Sequence, residues 1–424
     1  MATGWRDRRS STPEGVVRKH HGDRLIVVLT VLLMFIGLLI IYAIGPQRAN
    51  LLNSVYGFSY SDTYFFWKQL LSFGLSLGAF WVLSVVPYNL VLKHGSKVLW
   101  VGFIACALLA IGGWTHIIAG TNGAVRWIDL GPLGSVQPAE ILKFGVLLYL
   151  AVFLGIRSRE GRVNDLKATL LPVGMLAAFA LLFVIVIQKD LGTGISLTAI
   201  VATMLVVAGI NRKIIFSLFG LLLIAGTILI FTSPHRIERV LTYLEGDNTS
   251  TSDAESYHIE HAKIAIGSGG LFGVGIGDSV QASGYLPEAI NDSIFAIIGE
   301  TFGFVGTVAL IALFVALLMR LLGVMDHMVD VRLKLLAAGV FGWLGAHVIL
   351  NIAAMIGIFP LTGITLPLLS YGGTSMIFMA AALGLIFQLS KYTVHASHIK
   401  EDINEDSRSR RGVGRTRYAS RRGA

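Results

Sequence analysis

The chain has 424 residues, 54% of them hydrophobic and 14% charged, with a net charge of +9. Soluble domains carry about a quarter charged residues, so composition excludes a soluble enzyme, a disordered regulator and an ordinary nucleic-acid-binding domain. The lone cysteine, Cys106, excludes a disulfide framework and a cysteine-based zinc site. What remains is an all-α polytopic membrane domain.

A membrane-crossing helix needs about 20 mainly apolar residues. In chain order the predicted spans are 25–45, 64–86, 98–118, 138–156, 168–187, 191–210, 214–231, 294–322, 333–358 and 368–389. That is ten helices, with a large extracytoplasmic loop, 232–291, between the seventh and eighth. The first span is too long for a signal-peptide core and no small-residue cleavage site follows it, so it reads as a retained helix. With the amino terminus inside, 26 of the 34 lysines and arginines fall on the inner side, as the positive-inside rule requires. Both tails, 1–24 and 390–424, are therefore expected in the cytoplasm, flanking a membrane domain at 25–389. The second tail holds seven arginines between Arg408 and Arg422 and no apolar run. It reads as a disordered, solvated tail near anionic lipid, and nucleic acid is not an expected partner.

Three segments on the outward side are too polar or too broken to be plain connectors: 119–143, 232–291 and 357–374. A site built from them would face the periplasm or cell exterior. In the first, Arg126 lies in a glycine-rich turn; it is either a surface charge or a bidentate phosphate holder. Glu140 and Lys143 follow, one helical turn apart inside an apolar stretch, where charges tend to pair or to serve function. Lys189-Asp190, at the turn between spans five and six, has the same two readings as Arg126.

In the second segment, 255–266 has helical spacing and reads as an amphipathic helix lying in the interface. His258 and His261 are three apart, but no clear third metal ligand accompanies them, and a polar helix face accounts for both. Residues 267–277 contain six glycines. No βαβ context or Walker lysine is present, so a nucleotide loop is excluded; the glycines are expected to permit tight turns and close backbone approach. Asp292 stands where this loop meets span eight, with Glu288 four residues before and Glu300 eight after. Two readings stay open: an ordinary N-cap, or a partly desolvated carboxylate with a raised pKa, suited to a general base. His347 and Asn351, within span nine, read as interhelical hydrogen bonders rather than catalysts.

These segments together resemble the SEDS family (shape, elongation, division and sporulation) from Leu25 to Leu389. The residues that carry the resemblance are Arg126-Trp127-Ile128, Gln137-Pro138-Ala139-Glu140 with Lys143, Asp190-Leu191-Gly192-Thr193, the glycine run, Tyr285-Leu286-Pro287-Glu288, Asp292, Ile298-Gly299-Glu300, and the stretch from Pro367 to Thr374. The resemblance implies a peptidoglycan glycosyltransferase that polymerises lipid II at the outer face of the bacterial cytoplasmic membrane. It implies a single-pass class B penicillin-binding protein as partner, within a divisome or elongasome. The family's essential aspartate falls on Asp292, and its ion pair on Glu140 and Lys143. Arg126 and Lys189 are the expected cations for the leaving pyrophosphate, with Glu288, Ser370 and Tyr371 as further substrate-binding candidates. A divalent cation, Mg or Mn, could share the charge. The run from Tyr285 to Glu300 and the charged carboxyl tail favour the division branch. The sequence departs from the usual pattern at Asn291 and Ser293 beside the aspartate, at Thr301, at Lys189, at Ala139 and at His258, where glutamine is usual. A lipid II flippase and a non-catalytic scaffold for a partner synthase are the competing readings.

Overall fold

The computed structural model describes residues 21–114, 126–129, 131, 134–217, 220 and 254–393. Its architecture is almost wholly helical. In chain order the helices are α1 (Arg24–Tyr56), α2 (Tyr64–Val85), the short α3 (Tyr88–Lys93), α4 (Gly95–Trp114), α5 (Pro138–Arg159), α6 (Leu166–Ile187), α7 (Leu191–Val207), α8 (Ala254–Ser268), α9 (Ile294–Asp326), α10 (Val331–Met355) and α11 (Gly373–Leu389). Helix α6 is π-helical in its first and last turns. A two-residue hairpin, β1 (Ile128–Asp129) against β2 (Ser135–Val136), leads into α5 with Ile128 opposite Val136.

The helix boundaries follow from local chemistry. Asp23, Asp165, Asp190 and Asp330 each accept a main-chain N–H from the first turn that follows, the usual service of an N-cap acid. Pro138 opens α5 at a position where its missing N–H costs nothing. Helices α4 and α5 meet through reciprocal glycines. A Cβ on Gly102 would fall 2.6 Å from Leu142 Cα, and one on Gly145 would fall 2.5 Å from Leu99 Cα. Lipid offers no hydrophobic drive for such pairing, so close backbone approach supplies the packing.

Among the described residues, eight helices are long and apolar enough to span a membrane: α1, α2, α4, α5, α6, α9, α10 and α11. Helix α7, the expected sixth span, is apolar but shorter, at 17 residues. Most of the expected seventh span, including 221–231, and residues 232–253 of the large loop lie outside the described residues, as do 1–20 and 394–424. Two boundaries move most. The first span extends to Tyr56, and the last begins at Gly373 rather than at residue 368, because 366–371 form a turn closed by Ser370.

The two ends of the bundle are chemically distinct. At one, Arg159 and Arg332 both meet Asp330, at 3.3 and 2.7 Å, while Asp23 lies 3.9 Å from Arg320 and its N–H donates to Ser390. At the other, the starts of α5, α7, α9 and α11 and the last turns of α10 share a hydrogen-bonded network that includes Asp190, Asp292 and Asn351.

Candidate active site

The three segments singled out in the sequence meet at this second end. From the first, the Gln137 side chain donates to Asp190 Oδ2 at 2.8 Å, and the Ser135 carbonyl accepts from Thr374 Oγ1 at 2.7 Å. From the third, the Tyr371 N–H donates to the Ile290 carbonyl at 2.8 Å, two residues before Asp292. Asn351, near the end of α10, uses one amide nitrogen twice: it donates to the Asp292 carbonyl and to the Ile364 carbonyl, each at 2.7 Å. The expected interhelical role of Asn351 thus lands on the main chain of the candidate base itself.

Asp292 is not an N-cap. Ser293 holds that position at the start of α9, and no side chain caps the helix there. The Asp292 residue is half-buried, and among the described residues its Oδ1 has no hydrogen-bond partner. Burial first, and the nearby Glu288 carboxylate second, push its carboxyl up to about 7, against the pull of its own and the Ser293 N–H. A carboxylate at that value is ionised often enough at neutral pH to accept a proton and basic enough to keep it.

Glu288 sits on the same turn with φ 49, accepts from the Asn291 amide, and lies 3.7 Å from Arg48 of α1. Tyr371 packs edge-on against Phe65, with ring centroids 5.5 Å apart, and burial drives its hydroxyl up to about 12. Ser370 is buried, and its hydroxyl accepts the Leu366 N–H at 2.8 Å.

Arg126 and Lys189 stand together at the neighbouring turn. Arg126 Nε and Nη2 donate to the carbonyls of Gln188 and Lys189, at 3.3 and 2.6 Å, and Lys189 itself has φ 54 with an exposed side chain. Neither of the two sequence readings had the guanidinium binding main chain. Deeper in the bundle, Lys143 Nζ lies 2.8 Å from Glu140 Oε1, 3.4 Å from His347 Nε2 and 4.8 Å from the centre of the Trp343 ring. His347 Nδ1 reaches the Thr365 carbonyl at 3.3 Å, so this charge cluster also touches the third segment.

The glycine run does approach other backbone closely, and its partner is α9. That helix breaks at Gly303 (φ 66, ψ −161). Into the break come residues 270–275: Val274 and Gly275 donate to the carbonyls of Glu300 and Thr301, while Phe304 and Val305 donate to those of Gly270 and Leu271. A Cβ on Gly273 would fall 2.2 Å from the Thr301 oxygen, so only glycine fits. Main chain can leave a helix at membrane depth only where its polar groups are met in this way. Glu300 completes the joint, accepting from the N–H groups of Val280 and Gln281 at 2.9 and 3.2 Å and from the Ser279 hydroxyl.

His258 corrects the sequence reading. It is not on an exposed polar face of α8: it is 8% exposed, with Nε2 2.5 Å from Ser293 Oγ. His258, Ala262 and Ala265 form the buried stripe of that helix. Two small residues at helical spacing from the histidine were the available signal of close packing. His261 bonds Gln281 Oε1 at 2.8 Å instead. Among the described residues no three His, Cys, Asp or Glu converge as a metal-binding group.

The fold and site define a class: a multi-pass helical membrane protein with a half-buried acid where a loop joins a span. Residues 23–395 match the cell cycle protein family of FtsW, RodA and SpoVE, and the chain belongs to that family. It is 32% identical over 378 residues to stage V sporulation protein E of Bacillus subtilis, covering 89% of this chain and 99% of that protein. It is 34% identical over 380 residues to the probable peptidoglycan glycosyltransferase FtsW of Coxiella burnetii, covering 88% and 96%. Among solved structures, a chain from a peptidoglycan synthase complex that coordinates polymerization and crosslinking aligns with TM-score 0.67 and 26% identity, over 87% of this chain and 98% of that one. RodA of Thermus thermophilus shares the fold, with TM-score 0.59 and 24% identity over 88% and 98%.

Proposed function

We propose that this protein is a peptidoglycan glycosyltransferase that polymerises lipid II at the outer face of the bacterial cytoplasmic membrane, in septal synthesis during division. Both termini then lie in the cytoplasm, and the partner is a single-pass class B penicillin-binding protein of the divisome. One observation carries the reading: a half-buried carboxylate at the junction of three polar segments, with one oxygen unpartnered among the described residues.

The chemistry follows from that oxygen. A sugar hydroxyl attacking the donor's anomeric carbon must lose its proton, and Asp292 accepts it. The bond to the lipid pyrophosphate breaks as the new glycosidic bond forms. An α-linked donor yields a β-linked glycan by this single inverting displacement. Charge developing on the pyrophosphate needs cations. Lys189 and Arg126 are the candidates, Arg126 through Nη1, since its other two nitrogens hold carbonyls. Glu288 and Tyr371 would border the acceptor, and Ser370 would shape the turn that carries Tyr371. The Glu140–Lys143 pair would hold α5 against α10 beneath the site. A Mg or Mn ion takes one or two carboxylates plus substrate phosphates; Asp292 and Glu288 would be the carboxylates to hold it, and no step above needs the ion.

The test is polymerisation of lipid II by the full chain with its transpeptidase partner. Wild type should make glycan strands. Asp292→Asn should lower the rate about 100-fold or more with a melting temperature no lower than that of wild type. Undiminished synthesis by that variant would remove Asp292 from the mechanism. Lipid II translocation in vesicles without polymer would favour transport, and synthesis that depends only on the partner would favour a scaffold.

A further inference from the structure

Residues 287–293 form a tight turn of their own ahead of α9. Glu288 lies in the left-handed region at φ 49, which a non-glycine residue rarely adopts. The N–H groups of Asn291 and Ser293 both donate to its carbonyl, at 2.9 and 3.2 Å. Such a conformation persists only where its surroundings over-determine it. Asn351 holds the turn at the Asp292 carbonyl, and Tyr371 holds it at Ile290. A third hold comes from α8. Ser293 Oγ lies 2.9 Å from the Pro287 carbonyl, which can only accept, so the hydroxyl donates there. His258 Nε2, 2.5 Å from the same Oγ, must then carry the hydrogen and donate to it. Burial keeps this ring neutral, its pKa pushed down to about 4. The chain of bonds therefore runs His258 to Ser293 to Pro287 and closes the turn across its mouth. Both side chains in it stand at positions where the sequence departs from the family pattern.

We propose that His258 is a positioning residue for Asp292: acting through Ser293, it pins turn 287–293 so that the carboxylate stays aimed at the acceptor sugar. This rests on the reading of Asp292 as general base. Small displacements of a reacting group cost rate steeply, so the loss should fall on kcat and spare KM.

The experiment uses the full chain with its transpeptidase partner and lipid II as the probe, with rates followed across lipid II concentration. His258→Leu and Ser293→Ala should each lower kcat about 10-fold and leave KM within about 2-fold. The double variant should be no slower than the slower single one. His258→Gln, which keeps an N–H donor, should recover kcat to within about 3-fold of wild type. Normal kcat in His258→Leu, additive losses in the double variant, or a glutamine variant as slow as the leucine variant would each overturn the proposal. Where His258→Leu does not fold, Ser293→Ala, which removes a single oxygen, decides it alone. Asp292→Asn is run alongside. If it is inactive while His258→Leu is normal, only the positioning role fails; if it polymerises normally, both readings fail.

Discussion

Asp292 and Glu300 are two carboxylates eight residues apart, one just before α9 and one in its second turn, and they are treated in opposite ways. Glu300 is saturated: two main-chain N–H groups and a serine hydroxyl converge on it, and the glycine-rich segment is tied down as a result. Asp292 has an oxygen with no partner among the described residues and a carboxyl pushed up to about 7. A buried polar atom left unmatched costs stability, and a protein keeps that cost where reactivity is needed. The contrast sets a saturated anchor beside the proposed base.

Substitutions that exchange rate for stability break or sharpen this comparison. Asp292→Asn has the largest expected effect, about 100-fold or more in rate. Its stability should be unchanged or higher, because a poorly solvated charge is gone; denaturation in detergent beside a polymerisation assay reads both. Next is Lys143→Ala, which leaves the Glu140 carboxylate buried without its cation. It should cost about 3–5 kcal/mol, and pairing it with Glu140→Gln should recover most of that. If the single and double variants melt alike, the pair is not holding the bundle. Glu300→Gln loses charge-assisted bonds worth about 1.5–3 kcal/mol in total stability, with hydrogen exchange rising first at 270–281.

The smallest effect is a shift in pH. Asp292 must be ionised to act, so activity should rise with pH through a midpoint near 7. Glu288 raises that value, so Glu288→Gln should move the midpoint downward, by about one unit or less, and increase relative activity at mildly acidic pH. A midpoint that stays put or climbs would separate Glu288 from the titration of Asp292.

Hydropathy made most of the spans legible because lipid leaves no other way to satisfy their backbone. It misplaced the start of α11 because residues 366–371 are apolar in composition yet turn through the hydroxyl of Ser370, a bond that hydropathy does not register. The convergence of the three polar segments was readable from topology, and Asp292 from its junction. Its N-cap alternative was not separable without coordinates, since an acid at a helix start looks the same either way. His258 was misread because its neighbours Glu255, Glu260 and His261 make the segment polar on average. The single buried stripe of His258, Ala262 and Ala265 is narrow. Arg126 escaped both readings because main-chain carbonyls, its actual partners, leave no trace in sequence.

The break at Gly303 has a mechanical consequence. The stub of α9 from 294 to 302 and the shaft from 304 to 326 are both bonded to the looped stretch 270–275, the stub through Glu300 and Thr301 and the shaft through Phe304 and Val305. The glycine-rich stretch therefore splints the break, bracing the stub, with Asp292 just ahead of its tip, against the long shaft.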